Sequence, residues 1–152
     1  MQSDPNLSKV TSIHNRVFYG YRSLKKVVLP QGLESIGDEV FARCKLLEEI
    51  LLPNKLKEIG NKGFTESKLK SITIPSSVTN IGSDAFSNIY DLTSVTFEGT
   101  TPPQGIEKDP FYEKSNHSNN FVIYVPAGSV EAYKKVLSNG YSKLGDKVRA
   151  KE

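Results

Sequence analysis

Five phenylalanines, Phe18, Phe41, Phe64, Phe86 and Phe111, stand at near-constant intervals, and each closes a similar phrase of about twenty-three residues. A chain written this way folds as a stack. One phrase cannot bury enough apolar surface to offset the entropy of ordering its own backbone, so each copy must complete its core against its neighbours. The pattern that holds such a stack together leaves the remaining positions free to form a surface, which favours binding over chemistry.

The register is clearest from Leu24 to Phe41, where Leu24, Val27, Leu29, Pro30, Leu33, Ile36, Gly37 and Phe41 recur further on. The next copy supplies Leu47, Ile50, Leu52, Pro53, Leu56, Ile59, Gly60 and Phe64. The third, one residue shorter, supplies Leu69, Ile72, Ile74, Pro75, Val78, Ile81, Gly82 and Phe86. A fourth begins with Leu92, Val95 and Phe97, has Glu98 in place of the proline, and reaches Ile106 and Phe111 through a stretched second half. Val122 to Val125 reads as a fifth strand, closed by Pro126. Upstream, Val10, Ile13, Val17 and Phe18 match Leu33, Ile36, Val40 and Phe41, the back half of a repeat without its front, so the chain starts inside the pattern.

Each feature of the phrase has a physical reading. Val27 and Leu29 alternate at period two and point to one side of a short strand, which Pro30 ends because it has no N–H for a ladder bond. Leu33 and Ile36 return apolar side chains inward. Gly37 suits a corner with positive φ, and the stretch around Phe41 suits a single helical or 3₁₀ turn. After the last strand, Ser129 is placed to cap a helix over about Val130 to Leu137, with Val130, Tyr133, Val136 and Leu137 as its apolar stripe and Asn139-Gly140 as its stop. That helix reads as a C-terminal lid. The N-terminal end has no comparable lid, which predicts further repeats upstream or self-association there.

Composition narrows the function. The net charge of +3 is slight, and the late cations Lys134, Lys135, Lys143, Lys147, Arg149 and Lys151, interrupted by Asp146 and Glu152, read as a solvated terminal face rather than a nucleic-acid patch. Cys44 is the single cysteine, so no intrachain disulfide forms, and its place on the turn marks a buried thiol. No apolar run approaches membrane-spanning length, and the first residues lack a signal-peptide core. His14 and His117 are the two histidines, and neither belongs to a zinc-ligand spacing. Phosphate-cradling glycine loops, a GxSxG elbow and Asp-x-Asp calcium loops are missing from the sequence. Glu48 and Glu49, as strand neighbours, point to opposite faces and make no acid/base pair. The reading is therefore non-enzymatic, with no catalytic residue, cofactor or metal.

The phrase Leu-x-x-Ile-x-Ile-Pro, an apolar return pair, Ile-Gly and then Ala-Phe, seen most fully from Leu69 to Phe86, resembles the BspA-like class of leucine-rich repeats. The segments Thr100 to Gly105 and Val122 to Val136 look like the closing segment of such bacterial surface proteins. The resemblance covers about residues 10 to 140. It implies a leucine-rich-repeat right-handed solenoid of the β-rich α/β superhelix class, with short parallel strands, short 3₁₀ or helical turns and a C-terminal capping helix. It divides the chain into an N-terminal tail (1–9), the solenoid (10–126) and a cap (127–152). It also implies an extracellular or cell-surface setting and adhesion to a protein or glycan on a host or microbial surface. A structural spacer within a larger surface protein and an intracellular protein-interaction scaffold are the alternatives. No catalytic residues come with the family. Glu98, and Gly63 and Pro110 where alanine precedes phenylalanine, depart from its pattern.

If Val27 and Leu29 face inward, the intervening strand positions face out and stack into two columns. One is Lys26, Glu49, Ser71, Ser94 and Val122; the other is Val28, Leu51, Thr73, Thr96 and Tyr124. These are the candidate partner-binding residues, with Val28, Leu51 and Tyr124 as apolar contacts and Lys26 and Glu49 setting charge complementarity. A second candidate is the irregular loop from Lys108 to Asn120, whose asparagine-rich tail breaks the period. Asn6-Leu7-Ser8 and Asn116-His117-Ser118 are glycosylation sequons that matter in a eukaryotic secretory setting.

Overall fold

The protein, seen in a computed structural model that describes residues 9–112, 120–140 and 143–152, is a solenoid with two parallel sheets running along it. Its elements in chain order are β1 (Ser12–Ile13), β2 (Lys26–Val28), β3 (Ser35–Ile36), β4 (Glu49–Leu51), β5 (Glu58–Ile59), β6 (Ser71–Ile74), β7 (Asn80–Ile81), β8 (Ser94–Phe97), β9 (Val122–Val125), α1 (Val130–Leu137) and β10 (Val148–Ala150). One sheet has the order β1-β3-β5-β7. The other runs β10-β9-β8-β6, with β4 and β2 paired beyond it.

The strands are short because the phrase makes them so. Val27, Ile50, Ile72 and Val95 point inward between outward-facing neighbours, and Pro30, Pro53 and Pro75 then each accept a bond from the residue three places on, at Leu33, Leu56 and Val78, which turns the chain. The return pair does more than point inward. Ile13, Ile36, Ile59 and Ile81 pair in register as a second parallel sheet, which the sequence reading left as a path without ladder bonds. Two-residue strands carry no period of their own, so only the stack reveals them.

The third side is a row of turns and not a row of helices. Residues with positive φ recur there at Arg16, Glu39, Lys62 and Asp84, and again at Gly20, Arg43, Glu66 and Asn88. A left-handed residue cannot continue a helix. It lets the chain send N–H groups across to the next coil instead: Phe18 N donates to Val40 O, Phe41 N to Gly63 O and Phe64 N to Ala85 O. Non-glycine residues in this region are costly, and the coil-to-coil bonds over-determine them.

Gly37 therefore corrects the expectation of positive φ at the corner, since among the described glycines only Gly20 and Gly105 have it. Proximity is the reason for glycine here. A Cβ on Gly60 would lie 2.6 Å from Asp38 N and Gly37 O, and one on Gly82 would lie 2.6 Å from the Gly60 carbonyl carbon. Beside this corner Asn15, Asp38 and Asn61 each accept, through Oδ1, the backbone N–H of the next coil at Asp38, Asn61 and Ser83. Stacking at the corner is thus close enough to exclude a methyl group and is bonded on both sides.

The five phenylalanines form one column. Ring centroids are 5.4, 5.3, 5.3 and 5.5 Å apart from Phe18 through Phe41, Phe64 and Phe86 to Phe111, with planes within 16° of parallel. Phe41, Phe64, Phe86 and Phe111 are fully buried, whereas Phe18, at the open end, is half-buried. Cys44 packs beside this column and its thiol donates to Phe18 O at 3.1 Å. Burial pushes the thiol pKa up, outweighing a backbone hydrogen bond from Tyr21 that lowers it, as suits an unreactive structural cysteine.

At the other end α1 lies where the apolar stripe places it, with Tyr133 and Leu137 buried and Val130 and Val136 packed at the core's edge. Ser129 occupies the N-cap position, but its side chain makes no capping bond, because a 3₁₀ turn over Ala127–Ser129 already leads into the helix. Tyr133 anchors the lid: its ring packs 5.1 Å from Phe97 and its hydroxyl donates to Gly99 O at 2.8 Å.

Burial raises the Tyr133 pKa to about 12. The fold thus favours the neutral phenol. Its contribution is fully present below the ordinary tyrosine value near pH 10 and is lost as pH rises towards about 12. Urea unfolding followed across this window is expected to show that loss. Tyr133→Phe is expected to remove that part of the pH dependence and to cost about 1 kcal/mol at neutral pH for the missing donor.

Candidate binding face

The larger sheet presents the outward columns. Pairing is in register on both sides: Lys26 with Glu49 and Val28 with Leu51, then Ser71 with Ser94 with Val122, and Thr73 with Thr96 with Tyr124. Between β4 and β6 the ladder is interrupted, so Leu51 and Thr73 are neighbours in the stack without being paired. The copy that is one residue short loses that residue between Phe64 and Leu69, just before β6, which offsets the strand's entry.

The column of Lys26, Glu49, Ser71, Ser94 and Val122 is polar for most of its length. Lys26 Nζ lies 3.1 Å from Glu49 Oε2, with both side chains more than half exposed. The two charges therefore satisfy each other, and an exposed pair of this kind contributes at most about 1 kcal/mol. Ser71 is exposed; Ser94 and Val122 are half-buried.

The second column is more distinctive. Val28 is 77% and Leu51 72% exposed, side by side on adjacent strands. Thr73 is exposed, Thr96 half-buried, and Tyr124 lies at 37% exposure with its ring available from the solvent side. The structure adds a member that sequence reasoning missed. β10 pairs with β9 and sets Arg149 opposite Tyr124. Arg149 Nη1 donates to Asp146 O at 2.7 Å and to Val148 O at 2.8 Å, which holds the guanidinium at this edge. Thr96, Tyr124, Arg149, Ala150, Lys151 and Glu152 line an open recess of about 580 Å³. The signal in the sequence was the alternation of Val148 and Ala150 with Arg149 and Lys151, too short to tell from a charge run.

The face thus runs from an apolar pair, across threonines, to an aromatic ring beside a cation. Five steps between strands make it about 24 Å long at the usual parallel spacing of about 4.8 Å. Aromatic faces, hydroxyls and a positioned guanidinium suit non-covalent recognition of a protein or sugar surface. Among the described residues, no group of three or more histidine, cysteine, aspartate or glutamate side chains is placed to hold a metal ion. No helix of the described residues is long and apolar enough to cross a membrane. In the irregular loop, Lys108 ends a 3₁₀ turn and Phe111 is buried; residues 113–119, with His117 and the sequon at Asn116, lie outside the described residues, as does the sequon at Asn6.

Residues 8–132 match the model of the BspA type leucine rich repeat region, in six copies. No curated protein matches the chain at a significant level. Among solved structures it is similar to the pneumococcal vaccine antigen PcpA, with 26% identity, a TM-score of 0.61 and coverage of 94% of this chain and 42% of that one. It is also similar to a leucine rich cell surface protein from Faecalibacterium prausnitzii A2-165, at 22% identity and a TM-score of 0.58 over 84% of this chain and 42% of the other. A leucine-rich repeat protein from Bacteroides ovatus gives 22% identity and a TM-score of 0.51 over 88% of this chain and 42% of the other. The chain spans 42% of the length of each of these three, and the two at 22% identity speak to the fold alone.

Proposed function

The chain belongs to the BspA-type leucine-rich repeat family, and from that premise we propose that it is a non-catalytic module of a cell-surface or secreted protein. It binds a protein or glycan ligand along the sheet face from Val28 to Arg149. The observation that carries this reading is the outward column itself, where two aliphatic side chains each more than 70% exposed share an in-register face with Tyr124 and Arg149. An apolar pair held side by side in water is a cost to the isolated protein that a partner recovers. The likeness to a cell surface protein and to a vaccine antigen supports a place outside the cell.

The test is binding of the whole chain to immobilised extracellular-matrix proteins and to a glycan array, repeated with Leu51→Asp combined with Tyr124→Asp. Both side chains point outward, so the melting temperature is expected to stay within a few degrees. Binding is expected to fall by about tenfold or more, as for contact residues near the centre of an interface. Binding that survives both changes would remove this face from the reading. Absence of any ligand across both panels would favour a spacer role.

A further inference from the structure

The corner glycines disclose what the N-terminal end of the stack accepts. Gly37, Gly60 and Gly82 each donate their N–H back to the preceding coil, at Ile13 O, Ile36 O and Ile59 O. A Cβ on any of them would run into that coil: on Gly37 it would lie 2.9 Å from Asn15 N and Ile13 O, and on Gly60 and Gly82 it would meet backbone within 2.6 Å. In the first coil this position is His14, and it is exposed. By the same geometry its side chain projects from the end of the stack, into the space that the backbone of another coil would occupy.

That end is nonetheless built to be covered. Val10, Ile13, Val17, Phe18, Tyr21 and Leu24 are the counterparts of Leu33, Ile36, Val40, Phe41, Cys44 and Leu47, each with 0–1% exposure in the next coil. At the open end Val17 is 52% and Tyr21 55% exposed, and the other four are only half-buried. The backbone edge is equally open. Glu34, Ser35 and Gly37 send their N–H groups towards the first coil, and Asp38, Val40 and Ala42 turn their carbonyls towards it. The matching groups of the first coil, the N–H of Thr11, Ser12 and His14 and the C=O of Asn15, Val17 and Tyr19, face outward as a template for an extended chain.

The rim has one sign of charge. From Lys9 to Leu33 there are five Lys and Arg residues and no Asp or Glu. Arg16 and Lys26 turn back to Glu39 and Glu49 of the next coil. Lys9, Arg22 and Lys25 are exposed around the rim with His14.

We infer that this end face docks an extended acidic segment of a partner protein, paired edge-on along β1 with apolar side chains over Val17 and Tyr21, and that it does not continue into another regular coil. His14 keeps a coil out. A second copy of the chain would bring the same cations against each other. Residues 1–8 contain one acid, Asp4, followed by a proline that cannot donate, and so do not match the rim. A lipid surface would leave the edge N–H and C=O groups facing hydrocarbon without partners.

The test uses a short fluorescent peptide of alternating Glu and Val, with a Lys/Val peptide as control. The acidic peptide is expected to bind the whole chain, to slow amide exchange at Thr11, Ser12 and His14, and to lose about tenfold in affinity on Val17→Glu and again on raising the salt. Leu51→Asp with Tyr124→Asp is expected to leave it unchanged, which separates this face from the sheet face. Equal binding of the two peptides, or indifference to Val17→Glu, would overturn the inference. So would a dimer in sedimentation that Val17→Glu dissolves, or binding to phosphatidylserine vesicles that protects the same amides. In a second arm, a copy of residues 33–55 replaces residues 1–9 ahead of Val10. The melting temperature is expected to rise only when His14→Gly accompanies it; a rise with His14 in place would show that a coil belongs there.

Discussion

Phe64→Ala is expected to lower the unfolding free energy by about 3–5 kcal/mol, the range for deleting a buried aromatic ring. Phe64 is fully buried at the middle of the ring column, 5.3 Å from Phe41 on one side and 5.3 Å from Phe86 on the other. Truncation removes contacts to both neighbours at once and leaves a gap that the hydrogen-bonded turns cannot close, since Phe41 N–H is tied to Gly63 O and Phe64 N–H to Ala85 O. In a domain whose whole stability is about 5–15 kcal/mol, a loss of this size is a large fraction of the total. Phe18→Ala is the matched control. Phe18 has one ring neighbour in the column and is half-buried, so its truncation is expected to cost about half as much or less. Urea unfolding by circular dichroism measures both, and equal costs would show that the rings do not act as a continuous column.

Gly60→Ala is expected to cost about 3 kcal/mol, at the upper end for overpacking. The colliding atoms, Gly37 O and Asp38 N, are backbone and cannot rotate away. Relief requires the coils to part at the corner, which strains the bonds from Gly60 N to Ile36 O and from Asn61 N to Asp38 Oδ1. The melting temperature is expected to fall by about 6–12 °C for a chain of this size. Gly128→Ala, where an added Cβ meets nothing within 4 Å, is the neutral control. A Gly60→Ala protein as stable as the parent would mean that the coils slide apart freely, and the exclusion of a coil by His14 would weaken with it.

Much of this architecture is legible in the chain. The inward set, from Leu33 and Ile36 to Phe41 and Leu47, follows from its recurrence, because a side chain that fills a coil must be apolar in every coil. The helix Val130–Leu137 follows from its stripe, and the outward column from Val28 to Tyr124 follows from alternation. Other features escape a reading by period. The second sheet is built of two-residue strands such as Ser35–Ile36, which have no alternation to detect. The left-handed residues Glu39, Lys62 and Asp84 are ordinary helix-compatible types, held at positive φ by bonds to the next coil. Arg149 joins the candidate face only because β10 returns to pair with β9.

The corner glycines mark the boundary between the two kinds of information. By itself the sequence determined that Gly37, Gly60 and Gly82 are equivalent, that the chain is a stack, and which side chains fill it, since burial repeats with the coil. The tertiary structure alone decided why glycine stands there, which face ends in Arg149, and what the end at His14 excludes. Each of those depends on how closely the backbones of residues 22 or 23 apart approach one another, a distance set by stacking and not by the apolar period of any one coil.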